Sequence, residues 1–113
     1  MDFGICPVTN ISDLGIVAHA ENLGFADAWI PDSQMIWSDC YAYMALAAER
    51  TSTIRLGTGV AVTGTRIAPV TAHSIATVNK LAPGRTFLGI GTGNTAQRLM
   101  GQRPVKFAEY EEY

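Results

Sequence analysis

The sequence has few charged residues and none of the charge clustering that marks nucleic-acid-binding proteins. Only 16% of its 113 residues are charged, the net charge is −2, and Lys and Arg are scattered along the chain. Because nucleic acid is bound through a concentrated basic surface, we expect no nucleic-acid partner. The apolar runs are interrupted by Gly and polar residues well before the roughly 20 residues that span a bilayer. We therefore expect no membrane partner either.

Cysteine and histidine are also scarce. Cys6 and Cys40 fall in separate predicted elements, with the spacing of neither a metal site nor a disulfide framework. His19 and His73 lie on predicted helices without a Cys or carboxylate at ligand spacing, so we predict no bound metal. The first residues contain no basic segment followed by a long apolar run, which predicts no secretory signal. The default expectation is a cytoplasmic protein.

Apolar residues, in contrast, make up 48% of the sequence and occur in short runs that alternate with helical patterns. Runs of this length beside Gly or Pro are typical of buried strands in a parallel sheet. We predict four such strands, at 2–7, 26–31, 54–62 and 85–91. Apolar residues at helical spacing predict helices at 13–23, 38–50, 69–81 and 95–100, and a fifth helix beginning at 105.

Four strand–helix units in succession predict an α/β fold with a parallel sheet. A complete (β/α)₈ TIM barrel takes about 250 residues, so four βα units correspond to half of one. We therefore predict that residues 1–113 form a single partial domain, truncated within the fifth helix. Half a barrel has two unpaired sheet edges, and such edges pair readily with other chains. A homo-oligomer formed through these sheet edges is expected.

Glycine is concentrated towards the carboxyl ends of two predicted strands. Arg55–Gly64 reads Arg-Leu-Gly-Thr-Gly-Val-Ala-Val-Thr-Gly, and Phe87–Asn94 reads Phe-Leu-Gly-Ile-Gly-Thr-Gly-Asn. Glycine at such positions lets the backbone bulge or approach a ligand closely. Two such ends favour a ligand-binding face at the strand carboxyl ends. Glycine that only relieves crowding at barrel corners would produce the same pattern.

Four short motifs follow one another along the chain. They are Trp-Ile-Pro-Asp at 29–32, Glu-Arg-Thr at 49–51, Leu-Gly-Thr-Gly at 56–59 and Ala-Pro-Gly-Arg at 82–85. In this order they resemble the bacterial luciferase-like family, and within it the branch that uses the deazaflavin coenzyme F-420. The resemblance covers essentially the whole chain and matches the N-terminal half of that family's (β/α)₈ TIM barrel.

The resemblance implies an oxidoreductase that transfers hydride to or from the deazaflavin coenzyme and acts on a small-molecule substrate. An FMN-dependent monooxygenase of the same fold is the alternative within the enzymes. A catalytically inactive, self-associating half-barrel fragment is the alternative outside them.

The resemblance also implies which residues bind the cofactor. In this branch an acidic residue at the end of strand two lies near the coenzyme ring, and Asp32 is the match here. A non-proline cis peptide that bulges from strand three supports the ring, and the match is Gly59-Val60. Strand four ends beside the coenzyme, which implies roles for Thr92, Gly93 and Asn94. From the residues alone, Asp32 could equally cap the loop that follows it.

Two positions depart from the sugar-phosphate dehydrogenases of this branch, which have His after the strand-two Asp and Glu after the strand-four Gly-Thr-Gly. Ser33 and Asn94 stand at these positions. An uncharged pair lacks the general base that alcohol oxidation needs, so a reductase or monooxygenase fits better, and the catalytic residues are left unassigned. In the loop after strand three, Arg66 could reach an acidic cofactor tail or a substrate, but the interpretation favoured here is a solvated side chain. Met35 and Trp37 either form a pocket wall or cover the helix layer.

Overall fold

The computed structural model describes residues 1–113 and contains four strands and five helices. The strands are β1 (Gly4–Ile5), β2 (Asp27–Ile30), β3 (Arg55–Val62) and β4 (Thr86–Gly91). The helices are α1 (Gly15–Asn22), α2 (Cys40–Arg50), α3 (Ala68–Leu81), α4 (Thr95–Leu99) and α5 (Phe107–Glu112). The strands form one sheet in the order β1-β2-β3-β4, and every pair is parallel. The predicted α/β class with four βα units is confirmed.

The helix boundaries follow local chemistry. The Asp39 side chain caps α2 by accepting a hydrogen bond from the Ala42 N–H at 2.9 Å. Pro69 occupies the first turn of α3, where its missing N–H costs nothing. Gly24, just after α1, has φ +85°, a conformation that glycine adopts without a steric penalty. Strand β1 is shorter than predicted because it pairs with β2 only at Gly4 and Ile5.

The hydrophobic core lies on one side of the sheet, between the strands and helices α1 to α3. From the strands, Ala28, Ile30 and Leu56 point into it and are fully buried. Since successive residues of a strand face opposite sides, Trp29 points away from the helices, and its side chain is 40% exposed. We call the helix-covered side the outer face. The inner face is the opposite side, which carries Trp29, Gly57, Gly59, Phe87 and Gly89.

Both cysteines are free: Cys40 is buried at the start of α2, whereas Cys6 is exposed after β1. The two histidines are exposed, as expected for helix-surface residues. None of the helices combines the length and hydropathy needed to cross a bilayer.

Candidate functional site

The centre of the site is a bulge in β3. Thr58 pairs with Leu88 and Ala61 with Ile90, so β3 advances by three residues over the stretch in which β4 advances by two. The peptide bond between Gly59 and Val60, inside this bulge, is cis, which confirms the backbone geometry that the family resemblance implied. A bulge leaves part of the strand ladder unpaired.

The Thr58 hydroxyl takes the place of the missing ladder bonds. It donates to the Gly89 carbonyl oxygen at 2.7 Å and accepts from the Gly89 N–H at 3.1 Å. Thr58 is completely buried, whereas Gly89 is partly exposed, so these two bonds lie at the edge of the buried region. Sequence reasoning did not single out this residue. A threonine between two glycines in an apolar strand is the signal that could have found it.

The bulge presents Val60 on the inner face. Its side chain is 39% exposed and lies beside Gly91 of β4, where an added Cβ would be 2.7 Å from Val60 Cγ2. At Gly59 an added Cβ would be 2.8 Å from the Trp29 Cβ. Both glycines are therefore required by close packing around the bulge. The result is an apolar, partly exposed surface formed by Val60 and the glycine backbone beside it.

Asp32 lies just beyond β2 and is buried. One carboxylate oxygen accepts from the Val62 N–H at 3.1 Å and from Arg66 Nη1 at 2.6 Å, and the other accepts from Gln34 Nε2 at 2.6 Å. Two of these donors are 30 or more residues away in sequence. Asp32 is therefore more than a cap for its own loop, because it ties the end of β2 to the end of β3.

The interpretation of Arg66 as a solvated side chain is wrong. Its side chain is only 18% exposed, pairs with Asp32 and also reaches Asp39 Oδ2 at 3.2 Å. The guanidinium carbon lies 5.1 Å from the centre of the Tyr41 ring, within cation–π range. Burial lowers the pKa of Arg66, but the hydrogen bond and charge of Asp32 outweigh it and raise that pKa overall. Arg66 is thus a permanent cation that balances the buried carboxylate.

Two further titratable groups, Cys40 and Tyr41, lie beside this ion pair. Burial, followed by the charge of Asp32, raises the pKa of the Cys40 thiol well above its ordinary value. Burial likewise raises the pKa of Tyr41 to about 12. Both groups therefore keep their protons at neutral pH, and neither is prepared to act as a base or nucleophile.

The residues predicted after β4 lie close to the same point. Gly93 has φ +70°, and a Cβ there would overlap the Val62 side chain, so only glycine fits. The Thr92 carbonyl oxygen accepts from the Val105 N–H at 3.1 Å. Asn94 turns towards α4, where its Oδ1 accepts from Arg98 Nε at 2.6 Å. Val62 thus contacts both Asp32 and Gly93, which brings the ends of three strands together.

Met35 and Trp37 line a cavity of about 210 Å³ that also borders Asp32 and Gln34. Met35 is 83% exposed and has φ +71°. The pocket-wall interpretation of these two side chains is therefore the one that agrees with the structure.

The residues at this end of the sheet fit a planar redox ring. Val60 offers a partly exposed apolar surface, and Gly59 and Gly91 keep the neighbouring backbone free of side chains. The nearby carboxylate of Asp32 already has donors on both oxygens. The arrangement can therefore support an apolar ring face without leaving a buried charge unpaired.

A parallel βα sheet with its candidate ligand residues at the strand carboxyl ends is the architecture of the (β/α)₈-barrel enzymes. Residues 12–112 match the family model described as luciferase-like monooxygenase. The chain belongs to this luciferase-like family.

The similar proteins include two curated relatives and one solved structure. The 5,10-methylenetetrahydromethanopterin reductase of Methanolobus tindarius is 39% identical over an alignment of 99 residues, and the match covers 85% of this chain and 30% of that protein. The F-420-dependent hydroxymycolic acid dehydrogenase of Mycobacterium tuberculosis is 38% identical over an alignment of 109 residues, and the match covers 86% of this chain and 29% of the relative. The coenzyme F-420-dependent tetrahydromethanopterin reductase structure from Methanopyrus kandleri has a TM-score of 0.75 and 31% identity, and the match covers 95% of this chain and 30% of that one. The chain thus spans about 30% of the length of these relatives.

Proposed function

We propose that the protein is an oxidoreductase that transfers hydride to or from a deazaflavin coenzyme of the F-420 type and acts on a small-molecule substrate. The observation that carries the proposal is the site itself. Asp32, Gly59, Val60, Thr92, Gly93 and Asn94, the residues implied by the resemblance, lie around one end of the sheet. Relatives and a structure named for this coenzyme, at 31% to 38% identity, support the same function.

The residues of the chain would act mainly by binding and positioning. A bound deazaflavin supplies the hydride chemistry at its ring. Val60 would contact one face of that ring, and the backbone from Gly91 to Gly93 would allow close approach at its edge. Asp32 and Arg66 would keep the end of β3 in place. Cys40 and Tyr41 remain protonated, and both oxygens of the Asp32 carboxylate already accept hydrogen bonds, so none of these three groups is free to act as a general base.

The absence of a base among these residues favours a reductase over an alcohol dehydrogenase. Oxidation of an alcohol requires a base that removes the hydroxyl proton, whereas hydride donation from the reduced coenzyme requires no base. Ser33 and Asn94 are uncharged, and Asn94 is held by Arg98. The direction of hydride transfer proposed here is therefore from coenzyme to substrate.

An FMN-dependent monooxygenase is the second candidate, favoured by the description of the matching family as luciferase-like monooxygenase. The ring surface at Val60 is apolar and does not discriminate between the two ring systems. Reduced flavin reacts with oxygen whereas the deazaflavin does not. Oxygen consumption with reduced FMN would therefore support this second function.

A self-associating half-barrel without activity is the third candidate. Strands β1 and β4 each have a partner on one side only, and Trp29 and Leu88 are both 40% exposed. We propose that residues 1–113 are a single partial domain and that the unpaired edges mediate homo-oligomerisation. We also propose that the protein is cytoplasmic, whichever of the three functions it has. Light scattering of the purified chain across a concentration series tests the oligomer, which a monomer at all concentrations would exclude.

The decisive experiment is to titrate the folded protein separately with oxidised deazaflavin coenzyme and with FMN while recording the absorbance of the ring. We expect saturable binding of the deazaflavin at one ring per site. Gly91→Ala should weaken it because the new Cβ would press on Val60. Gly15→Ala is the matched control, since an added Cβ at this position in α1 meets only an ordinary contact at 3.5 Å.

Folded protein that binds neither ring would reject both enzymatic proposals for this chain and favour the half-barrel without activity. Binding of FMN alone, together with oxygen consumption by the reduced form, would select the monooxygenase.

A further inference from the structure

Two aromatic rings fill the inner face of the sheet on the amino-terminal side of the bulge. Trp29 and Phe87 meet edge to face, with ring centres 4.5 Å apart and planes at 63°. Phe87 lies over Gly57, where an added Cβ would overlap the phenyl ring. The proposed function gives neither aromatic residue a role.

Trp29 extends across the whole sheet. An added Cβ at Gly4 of β1 would be 3.1 Å from the indole Nε1, and one at Gly89 of β4 would be 3.4 Å from indole Cζ3. Between them, Gly59 of β3 faces the Trp29 Cβ at 2.8 Å. Each of the other three strands therefore has a glycine where it meets Trp29. The indole ring makes its tightest contact at Gly4, whereas at Gly89 an added Cβ would meet the Thr58 carbonyl oxygen at 2.4 Å before it met the ring.

The contact with Gly59 connects this aromatic layer to the candidate cofactor site. Gly59 is the first residue of the cis pair, and Val60, whose side chain is proposed to meet the ring, is the second. The indole itself lies beside Gly89, which is held to Thr58, the residue before Gly59, by two hydrogen bonds, so a change of this side chain would be transmitted through Gly89 and Thr58 to the backbone that carries Val60. Close-packed neighbours transmit such displacements because there is no free space to absorb them.

We infer that Trp29, supported by Phe87, forms the floor of the cofactor pocket and sets the height of the Gly59-Val60 segment. Trp29 is a positioning residue in this role, because it acts through Gly59 and Val60 rather than on the reacting atoms. The inference rests on the proposed binding of a deazaflavin ring. It adds that the depth and environment of the bound ring depend on a bulky aromatic residue beneath the bulge.

The test compares Trp29→Leu with wild type in the deazaflavin titration, recording both the dissociation constant and the absorbance maximum of the bound ring. We expect the dissociation constant to rise about tenfold and the bound spectrum to move towards that of the free coenzyme. Trp29→Phe restores a ring and should recover most of both properties. If Trp29→Phe restores the absorbance maximum of the bound ring, residue 29 positions the ring. A residue that only stabilises the fold would not change that maximum.

Ile30→Ala is the matched control, because Ile30 is the next residue of β2 but is buried on the outer face. It should lower the melting temperature as much as Trp29→Leu while leaving the bound spectrum unchanged. If Trp29→Leu does not fold, Phe87→Leu provides the same test through the supporting ring, with a smaller shift in the same direction.

Wild-type affinity and spectrum in Trp29→Leu, or in Phe87→Leu where that variant is used, would overturn the inference and leave the proposed function intact. Failure of the folded wild-type protein to bind deazaflavin would overturn the proposed function and the pocket floor together. The wild-type titration alone distinguishes these two outcomes.

Discussion

Two Asp–Arg pairs connect β2 to β3, one at each end of the sheet, and they lie in opposite environments. At the amino end, Arg55 contacts both carboxylate oxygens of Asp27 at 2.7 and 2.9 Å, and these side chains are 54% and 14% exposed. At the carboxyl end, Arg66 meets Asp32 at 2.6 Å, and these side chains are 18% and 2% exposed.

The comparison shows that two ion pairs of the same chemistry can contribute differently to stability within one sheet, depending on how deeply they are buried. Water reaches and screens the Arg55 charge, so the pair with Asp27 contributes less to stability than a fully buried pair. The buried pair has lost its hydration, so each charge depends on its partner and on the surrounding hydrogen bonds. In (β/α)₈ barrels the carboxyl end carries the active site and the amino end serves stability. The more deeply buried ion pair, Arg66 with Asp32, therefore lies at the end of the sheet where the candidate site is formed.

The largest expected effect comes from Arg66→Ala. Removing this guanidinium leaves the buried Asp32 carboxylate without its cation, which should lower the free energy of unfolding by about 3–5 kcal/mol. Urea unfolding at neutral pH measures the change. Arg66→Lys keeps the positive charge, but a single ammonium group cannot contact Asp32 and Asp39 at the same time. We therefore expect a smaller decrease in the free energy of unfolding. An unchanged urea midpoint for Arg66→Ala would contradict the contrast between the two ends.

A middle-sized effect is expected on the inner face between the two ion pairs. Gly57→Ala forces a methyl group into the Phe87 ring and should cost about 1–3 kcal/mol. Phe87→Leu in the same chain should recover part of that loss, because the leucine side chain can move away. A double-mutant cycle from thermal or urea unfolding measures the coupling. If the free-energy losses of the two single variants simply add in the double variant, the overlap between the new methyl group and the Phe87 ring is relieved by other parts of the structure.

A third prediction concerns Glu21, which stabilises the amino end through hydrogen bonds. One of its oxygens accepts from the N–H groups of Ser52, Thr53 and Ile54 at 2.6 to 2.9 Å. Burial raises the pKa of Glu21, but these bonds outweigh it and lower the pKa to about 2. The carboxylate is partly exposed, so Glu21→Gln should cost only about 1 kcal/mol at pH 7.

The pH dependence of that cost follows from the direction of the shift. A pKa below the ordinary 4.5 stabilises the folded protein fully above about pH 4.5, and the contribution is lost as pH falls towards 2. The difference in unfolding free energy between wild type and Glu21→Gln should therefore shrink over that interval. Urea midpoints measured between pH 7 and pH 2 test this, and a constant difference would argue against it.

The smallest effect is expected for Arg55→Ala, the counterpart of Arg66→Ala at the exposed end. The Arg55 charge is largely solvated in both the folded and the unfolded chain, whereas its partner Asp27 is only 14% exposed, so the urea midpoint should fall slightly. Added salt should leave that result unaltered. A loss as large as that of Arg66→Ala would remove the comparison on which these predictions depend.

Much of the fold was predictable because its signals are local. The alternation of short apolar runs with helical spacing is present in the sequence, and Asp39 stands where a helix cap is needed. The glycines at positions 59 and 93 likewise marked the two strand ends that carry the bulge and the turn after β4. The roles of Asp32, Gly59, Val60, Thr92, Gly93 and Asn94 in cofactor binding remain predictions.

The partners of Arg66 and Thr58 could not be predicted in the same way. Arg66 reaches Asp32 and Asp39 across 34 and 27 residues, and Thr58 reaches Gly89 across 31. Nothing in the sequence near Arg66 indicates that it is buried. Such contacts depend on which strands become neighbours and on the register between them.

The amino-acid sequence by itself determined the order of the βα units and the strand ends where glycine is required, because periodicity and backbone freedom are properties of neighbouring residues. Only the tertiary structure decided that Arg66 neutralises Asp32 and that Trp29 crosses the inner face from β1 to β4. The physical reason is that both arrangements join distant segments, and their distances are set only when the parallel strands pair in one register.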